Sequence, residues 1–241
     1  IAINGRTRPN TTFYIPMQSR EVAAESNFIR FVSKGQQKPE SGLVPVSQEY
    51  AVDLSGVRLD MDIEVTPDAQ VQIIFDERIG DILRSTGTGN IQIRMDRQGN
   101  LRFFGDYTIN DGDYLFSLQN LINKRFTLNQ GGTVKWTGDP YNADIDITAV
   151  YRLKASLSEL IGPMSSNGER SSDLQRRIQI HCNLMLTDRL QQPVIRFGLE
   201  MPTLDESRES LILDMISSED ELNRQVLSLL ILNRFYTPDH L

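Results

Sequence analysis

The sequence predicts an all-β fold in which one long amphipathic antiparallel sheet is followed by two short helices. The first observation is the strict alternation of apolar and charged residues from Val57 to Val65 (VRLDMDIEV), which gives a strand one apolar and one charged face. The second is that turn-forming residues repeatedly separate such strands, and the third is that this period ends near Pro202. Alternation alone leaves open whether protein covers the apolar face, as in a sandwich, or whether the face lines a groove.

The apolar face is formed by alternate residues of each predicted strand. These candidate groove-lining residues are Val57, Leu59, Met61, Ile63, Val65, Val71, Ile73, Phe75, Ile91, Ile93, Met95, Leu101, Phe103, Ile145, Ile147, Ile178, Ile180 and Leu184.

The length of 241 residues and the hydrophobic content of 39% suit one large all-β domain. We expect residues 1–51 to contribute irregular edge strands, at Thr12–Pro16 and Asn27–Val32, and a linker. Residues 52–201 form the sheet, and residues 202–241 form the two helices. The chain begins at Ile1 without a signal segment, so we expect it to be a fragment of a longer protein.

Turn-forming sequences inside the sheet predict successive hairpins. We expect turns at Thr66–Asp68, Asp96–Asn100, Asn110–Asp113, Asn129–Gly132 and Gly138–Pro140. A strand from Ala143 to Leu153 and a loop at Ser165–Asp173 then precede the last two strands, Ile178–Thr187 and Val194–Leu199.

The first helix is predicted at Glu206–Ile216, and the second starts at Ser218 as N-cap with Glu221 at the reciprocal capping-box position. Leu222, Val226, Leu229 and Leu230 form an apolar stripe on the second helix, and Leu227, Ile231 and Leu232 extend it around the helix. Such a helix is expected to be buried on several sides. It either packs on the open end of the sheet or docks on a membrane or partner. The run VLSLLIL is also compatible with a strand.

The sequence offers little catalytic chemistry. His181 and Cys182 are neighbours on a predicted strand, so their side chains point to opposite faces and cannot readily form a nucleophile–base pair. The carboxylates of Asp60 and Asp62 share one strand face, and so do those of Asp144 and Asp146. A solvated polar face produces this spacing without any catalytic role.

Two short motifs are also predicted to be turns. Asn110–Asp113 is too short for a calcium loop, and Gly87–Gly89 lacks the third glycine of a dinucleotide loop. We therefore expect no enzyme activity, no metal ion and no cofactor. The net charge of −7, without a block of Lys and Arg, argues against nucleic acid.

Several segments together resemble the C-terminal domain of the TamB family. They are GNIQIRMDRQGNLRFFGDYTINDGDYLFSLQNLINKRFTL (Gly89–Leu128), GGTVKWTGDPYNADIDITAVY (Gly131–Tyr151), CNLMLTDRLQQPVIRFGLEMP (Cys182–Pro202) and LNRQVLSLLILNRF (Leu222–Phe235). The GDYTIxxGxYxF segment, the WxGDP turn and the closing LNRQ run are specific in combination. The first fifty residues carry little of the resemblance.

The resemblance implies part of a long periplasmic protein held by an inner-membrane helix outside this chain. It implies a sheet curled into an open apolar groove that shields phospholipid acyl chains between the membranes, and a partnership with the outer-membrane barrel protein TamA in outer-membrane protein assembly. One alternative is an assembly factor whose strand edges template outer-membrane strands by β-augmentation. Another is a glycan-binding β-sandwich, against which the single Trp136 and 7% aromatic residues argue.

Overall fold

The structure is a computed structural model that describes residues 1–17, 56–76, 80–118, 122–161, 176–216 and 218–237. Strands comprise 59% of the described residues, which confirms the all-β prediction. The strands are β1 (Ala2–Arg6), β2 (Thr12–Pro16), β3 (Leu59–Val65), β4 (Gln70–Asp76), β5 (Asp81–Met95), β6 (Leu101–Leu118), β7 (Ile122–Leu128), β8 (Thr133–Gly138), β9 (Asp144–Ser156), β10 (Arg177–Arg189) and β11 (Gln192–Glu200). The helices are α1 (Ser158–Ile161), α2 (Glu206–Met215) and α3 (Glu219–Leu232).

The strands form one 11-stranded sheet, and three pairs of them lie end to end. β3 with β4 and β7 with β8 each form one interrupted ribbon, because both members pair with the same neighbour in the same direction. β1 and β2 form a third ribbon, because β1 pairs with β3 and β2 pairs with β4, both in parallel. The ribbons follow the chain order from β1/β2 to β11. Neighbouring ribbons are antiparallel except that β1/β2 runs parallel to β3/β4, so the sheet is mixed rather than purely antiparallel.

Two of the predicted hairpin turns are wrong. Thr66–Asp68 joins β3 to β4, and both strands run antiparallel to β5, so the chain keeps its direction. Asn129–Gly132 likewise joins β7 to β8 along β6. The turn residues do form tight local bends, as when Ala69 N donates to Thr66 O at 3.0 Å, but each bend interrupts a ribbon instead of reversing it.

The turns predicted at Gly87–Gly89 and Asn110–Asp113 are also wrong, because these segments lie within β5 and β6. The register between the two strands shifts between Thr86 and Gly87. A Cβ atom at Gly87 would overlap the Thr108 carbonyl oxygen and meet the Tyr107 ring. Gly87 is therefore needed for a close backbone approach inside a long strand, which is a second common use of glycine in sheets.

These irregularities face one another across adjacent ribbons. The break between β3 and β4 lies opposite the Thr86/Gly87 shift in β5. On the other side of β5, the same shift lies opposite one segment of β6. That segment of β6 also faces the break between β7 and β8. Bulges bend strands and increase their twist. The aligned bulges therefore form a corner that crosses the first half of the sheet.

The sheet curls over on itself. The rings of Phe116 on β6 and Phe197 on β11 are 6.3 Å apart, although β7, β9 and β10 lie between these strands in the sheet. In a flat sheet the two strands would be about 19 Å apart, at about 4.8 Å per strand. The apolar faces of β6 and β11 therefore face each other. We call this concave, apolar side the inner face and the opposite side the outer face.

Other turns and strands agree with the sequence. Asp96–Asn100 closes the β5–β6 hairpin, and Gly138–Pro140 leads from β8 into β9. Strand β2 matches the prediction at Thr12–Pro16, whereas β1 was not predicted. Strands β9, β10 and β11 each extend a few residues beyond the predicted bounds. The strand predicted at Asn27–Val32 and the loop predicted at Ser165–Asp173 lie outside the described residues.

Both predicted C-terminal helices are present, and α1 is an additional short one. The Ser218 hydroxyl accepts a hydrogen bond from Glu221 N at 3.1 Å, which confirms Ser218 as N-cap. The Glu221 carboxylate accepts a hydrogen bond from Gln225 Nε2 at 2.7 Å, so it serves the helix interior rather than the predicted capping box. The VLSLLIL run is helical, which excludes the strand alternative. None of the helices in the described part of the chain has the length and apolar character needed to cross a membrane.

Candidate functional site

The candidate site is the inner face of the sheet, and protein covers a large part of it. Nine-tenths or more of each of the following side chains is buried. They are Val65, Val71, Ile73, Ile93, Met95, Ile145, Ile147, Ile180 and Leu184. All except Ile93 and Met95 belong to one continuous apolar cluster. In this part the inner face is the hydrophobic core of the protein.

The other predicted lining residues are only half-buried. They are Val57, Leu59, Met61, Ile63, Phe75, Ile91, Leu101, Phe103 and Ile178. Apart from Phe75 and Ile178, they lie toward the β1 edge, at the end of the sheet that carries the β5–β6 hairpin turn. The helices follow strands that end at the opposite end of the sheet.

The half-buried residues continue directly onto an exposed edge strand. Ile3 on β1, 42% exposed, is the Cα partner of Met61, which in turn faces Ile93, and Ile93 faces Phe103. We call the set Ile3, Leu59, Met61, Ile63, Ile91 and Phe103 the open stretch. The open stretch is thus an apolar surface that crosses four ribbons and that protein covers only in part.

Sequence reasoning missed two exposed apolar residues of the inner face. Ile3 lies in the unpredicted strand β1, and Ile195 on β11 is 43% exposed at the other edge of the sheet. Ile195, Phe197 and Leu199 alternate with Arg196 and Gly198, so their pattern contained the signal for a shared face. Within the described residues β1/β2 and β11 do not pair with each other, so the curled sheet stays open along this side.

Helix α3 packs against β11 and β7. Val226, Leu229 and Leu230 are fully buried, and Leu222 packs against the core. This arrangement agrees with packing on the sheet rather than with a stripe free to dock elsewhere. The expected burial on several sides is wrong for the last turn, where Ile231 is 46% and Leu232 is 55% exposed.

A buried amide fixes the segment that follows α3. Gln225 is fully buried, donates to the Tyr236 carbonyl at 2.9 Å and accepts from Tyr236 N at 2.8 Å. The neighbouring Phe235 is also buried in the core. The Gln225 side chain therefore pairs with the backbone of this segment as a neighbouring strand would, and it ties the segment to α3.

His181 and Cys182 lie on opposite faces of β10, as predicted. Cys182 is buried in the core, and burial raises the pKa of its thiol to about 12. The His181 side chain is 17% exposed on the outer face, where it contacts Gln179 and approaches Glu200 at 3.8 Å. The two side chains do not meet.

The aromatic residue that a glycan-binding surface would have used has a structural role. Trp136 is buried, and its Nε1 donates to the Pro140 carbonyl at 3.0 Å. The tryptophan therefore holds the β8–β9 turn and presents no surface to a glycan. In the described ranges, no three His, Cys, Asp or Glu residues are grouped so that they could hold a metal ion.

The family model of the TamB C-terminal domain matches residues 2–239. The chain belongs to the TamB C-terminal domain family. A comparison with curated proteins gave no match. The match includes the first fifty residues, which carried little of the resemblance. Membership in the TamB family supports a TamB-related role in outer-membrane assembly.

Proposed function

We propose that this TamB domain is a non-enzymatic lipid-transfer module whose inner face shields phospholipid acyl chains in the periplasm. The observation that carries the proposal is the open stretch, an apolar surface that continues the core to an exposed edge strand. The domain acts as one structural unit, and it is part of a protein anchored in the inner membrane.

The energetics favour acyl chains at the open stretch. Each methylene group removed from water contributes about 0.8 kcal/mol, so an acyl chain that places about eight methylenes on the open stretch gains roughly 6 kcal/mol, which suffices for reversible binding. Such binding requires no residue-specific chemistry. A transfer surface also benefits from binding that is weak at each position, because the lipid has to leave again.

The geometry suits a bound chain that is only partly enclosed. The polar ends of the lipid can remain in water along the open side between β1 and β11. The buried part of the inner face, with Ile147 and Leu184 at its centre, then serves as a fixed wall rather than as lipid-binding surface. We therefore restrict the proposed lining to the half-buried residues.

Site-specific photocrosslinking tests this proposal. A benzophenone amino acid at Met61 should crosslink to phospholipid when the domain is expressed in a bacterial periplasm. The same group at Thr127, which is exposed on the outer face of β7, should not. Equal lipid crosslinking from both positions, or none from Met61, would contradict the proposal.

A second candidate function rests on the free edge of β11. This strand has nine residues, from Gln192 to Glu200, and its far side carries no partner strand among the described residues. An unpaired edge of this length can template another strand by β-augmentation. We propose the barrel protein TamA, or its substrates, as the strand that pairs there.

Cysteine crosslinking tests the second candidate. A cysteine at Arg196, in a Cys182→Ala background, should form disulfides with single cysteines in the edge strand of TamA in a register-dependent pattern. Crosslinks of equal yield at every register would indicate collision rather than strand pairing.

A further inference from the structure

The helical end of the sheet exposes apolar side chains that have no role in the proposed lipid transfer. Ile231 and Leu232 are exposed in the last turn of α3. Tyr236 is exposed in the short segment that Gln225 ties to this helix. Neighbouring apolar side chains on a surface often mark an interaction site.

An open depression of about 400 Å³ joins this segment to the start of β10. Its lining comes from the ends of β9 and α3, the start of β10, and α1. The lining residues are Ser156, Glu159, Arg177, Leu232, Asn233 and Arg234. The apolar end of α3 and the first residues of β10 therefore belong to one continuous surface.

Basic side chains dominate the charge of this surface. Arg177 and Arg234 line the depression, and Arg176 precedes Arg177 in the chain. The Arg177 guanidinium donates to the Lys154 carbonyl at 2.6 Å, which places Lys154 beside it. All four basic residues are exposed, and within the described part of the chain only Arg234 among them has an ion-pair partner, Glu159 at 3.9 Å.

We call the exposed set Lys154, Arg176, Arg177, Ile231, Leu232, Arg234 and Tyr236 the docking surface. It carries four cations beside one carboxylate, although the whole chain has a net charge of −7. The docking surface is thus a basic region of an acidic protein.

Cations beside exposed apolar side chains match the surface of an anionic phospholipid membrane. Arginine and lysine attract the headgroup phosphates, aliphatic side chains insert below the headgroups, and tyrosine favours the membrane–water interface. The apolar side chains alone would equally suit a protein partner. The excess of cations in an acidic chain favours the anionic membrane, because the attraction is specific to that part of the protein.

We propose that the docking surface binds the headgroup region of an anionic phospholipid membrane. This contact holds the helical end of the domain against the bilayer. The proposal does not depend on lipid transfer, because the open stretch lies at the opposite end of the sheet, beside the β5–β6 turn.

Flotation of the domain with phospholipid vesicles tests the proposal. We expect binding to vesicles of equal parts phosphatidylglycerol and phosphatidylcholine, and binding weaker by about tenfold or more to phosphatidylcholine alone. Sodium chloride should weaken the binding, because it screens the charges. Arg177→Gln, Arg234→Gln and Leu232→Ser should each weaken it about fivefold, through loss of one charge or one inserted side chain.

The chain offers matched control variants. Arg94→Gln and Arg102→Gln remove the same charge from exposed positions near the β5–β6 turn, at the other end of the sheet. They should bind within about twofold of wild type, because the attraction falls off within a Debye length. Folded wild-type protein that binds no phosphatidylglycerol vesicles would overturn the proposal, as would unchanged binding by folded Arg177→Gln and Arg234→Gln.

A fluorescent label shows which surface meets the membrane. A cysteine at Leu232, in a Cys182→Ala background, should carry an environment-sensitive dye whose emission shifts to the blue on phosphatidylglycerol vesicles. The same dye on a cysteine at Gln98, in the β5–β6 turn, should not shift. An equal shift at both positions would contradict the proposed orientation. Neither readout requires lipid inside the domain, so lipid-free protein that docks in this way would contradict lipid transfer alone.

Discussion

At the scale of single residues, Asp81 is an unfavourably placed carboxyl group. Burial raises its pKa above the ordinary value of 3.8, the Tyr114 hydroxyl partly offsets this by donating a hydrogen bond, and the neighbouring Asp76 raises the pKa further. One of its oxygens is buried without a hydrogen-bond partner. Burial and the neighbouring Asp81 carboxyl group raise the pKa of Tyr114.

The raised pKa predicts how stability depends on pH. Below pH 3.8 Asp81 is protonated in both states, and as the pH rises the unfolded chain ionises first, so the contribution of Asp81 to stability is lost. We therefore expect Asp81→Asn to have a higher melting temperature than wild type at about pH 7 and the same one at about pH 3. Asp146→Asn, at an exposed site, is the control. A lower melting temperature for Asp81→Asn at neutral pH would refute this explanation.

Cys182 is predicted to be a structural thiol. Because burial raises its pKa to about 12, iodoacetamide should modify it only after unfolding. Cys182→Ala removes a fully buried sulfur and should reduce the free energy of unfolding by about 1–3 kcal/mol in urea titrations. Rapid alkylation of the native protein would contradict the placement of Cys182 in the core.

At the scale of elements, the start of α3 depends on one hydroxyl. Ser218→Ala removes the acceptor for Glu221 N and should reduce the free energy of unfolding by about 0.5–2 kcal/mol. Ser210→Ala, at an exposed position inside α2, should change it far less. Equal stability of Ser218→Ala and wild type would show that the cap contributes nothing.

The corner of the sheet depends on glycine. Gly87→Ala would place a Cβ against the Thr108 carbonyl and the Tyr107 ring, so we expect a loss of about 1–3 kcal/mol. Gly5→Ala is the matched control, because a Cβ there meets nothing and the residue lies on an exposed edge strand. Thermal unfolding of both variants compares them. Equal melting temperatures would indicate that β5 and β6 can separate at the corner without cost.

At the scale of the whole molecule, the sequence predicted the fold class, most strands and both C-terminal helices. Local sequence patterns contain this information, as the strand at Thr12–Pro16 and the cap at Ser218 illustrate. They do not contain the direction of the chain after a turn. Thr66–Asp68 has the composition of a hairpin turn, yet pairing of β3 and β4 with the same strand uses it as a bulge.

The candidate site was predictable only as a face of the sheet. Alternation places Met61 and Leu184 on the same inner face, but whether a side chain is half-buried or fully buried depends on which distant strand or helix packs over it. The curl that brings Phe116 to Phe197 joins residues far apart in the chain, and no local pattern contains that contact. The open stretch therefore became visible only in the structure.

The amount of phospholipid bound per folded protein tests the central claim most directly. Domain purified without detergent from a bacterial envelope should carry phospholipid by native mass spectrometry. Met61→Arg should fold, because the half-buried side chain can reach water at the open stretch, but should lose most of the lipid. Thr127→Arg adds the same charge to the outer face and should keep it. Lipid-free wild-type protein, or a folded Met61→Arg as loaded as wild type, would contradict the account.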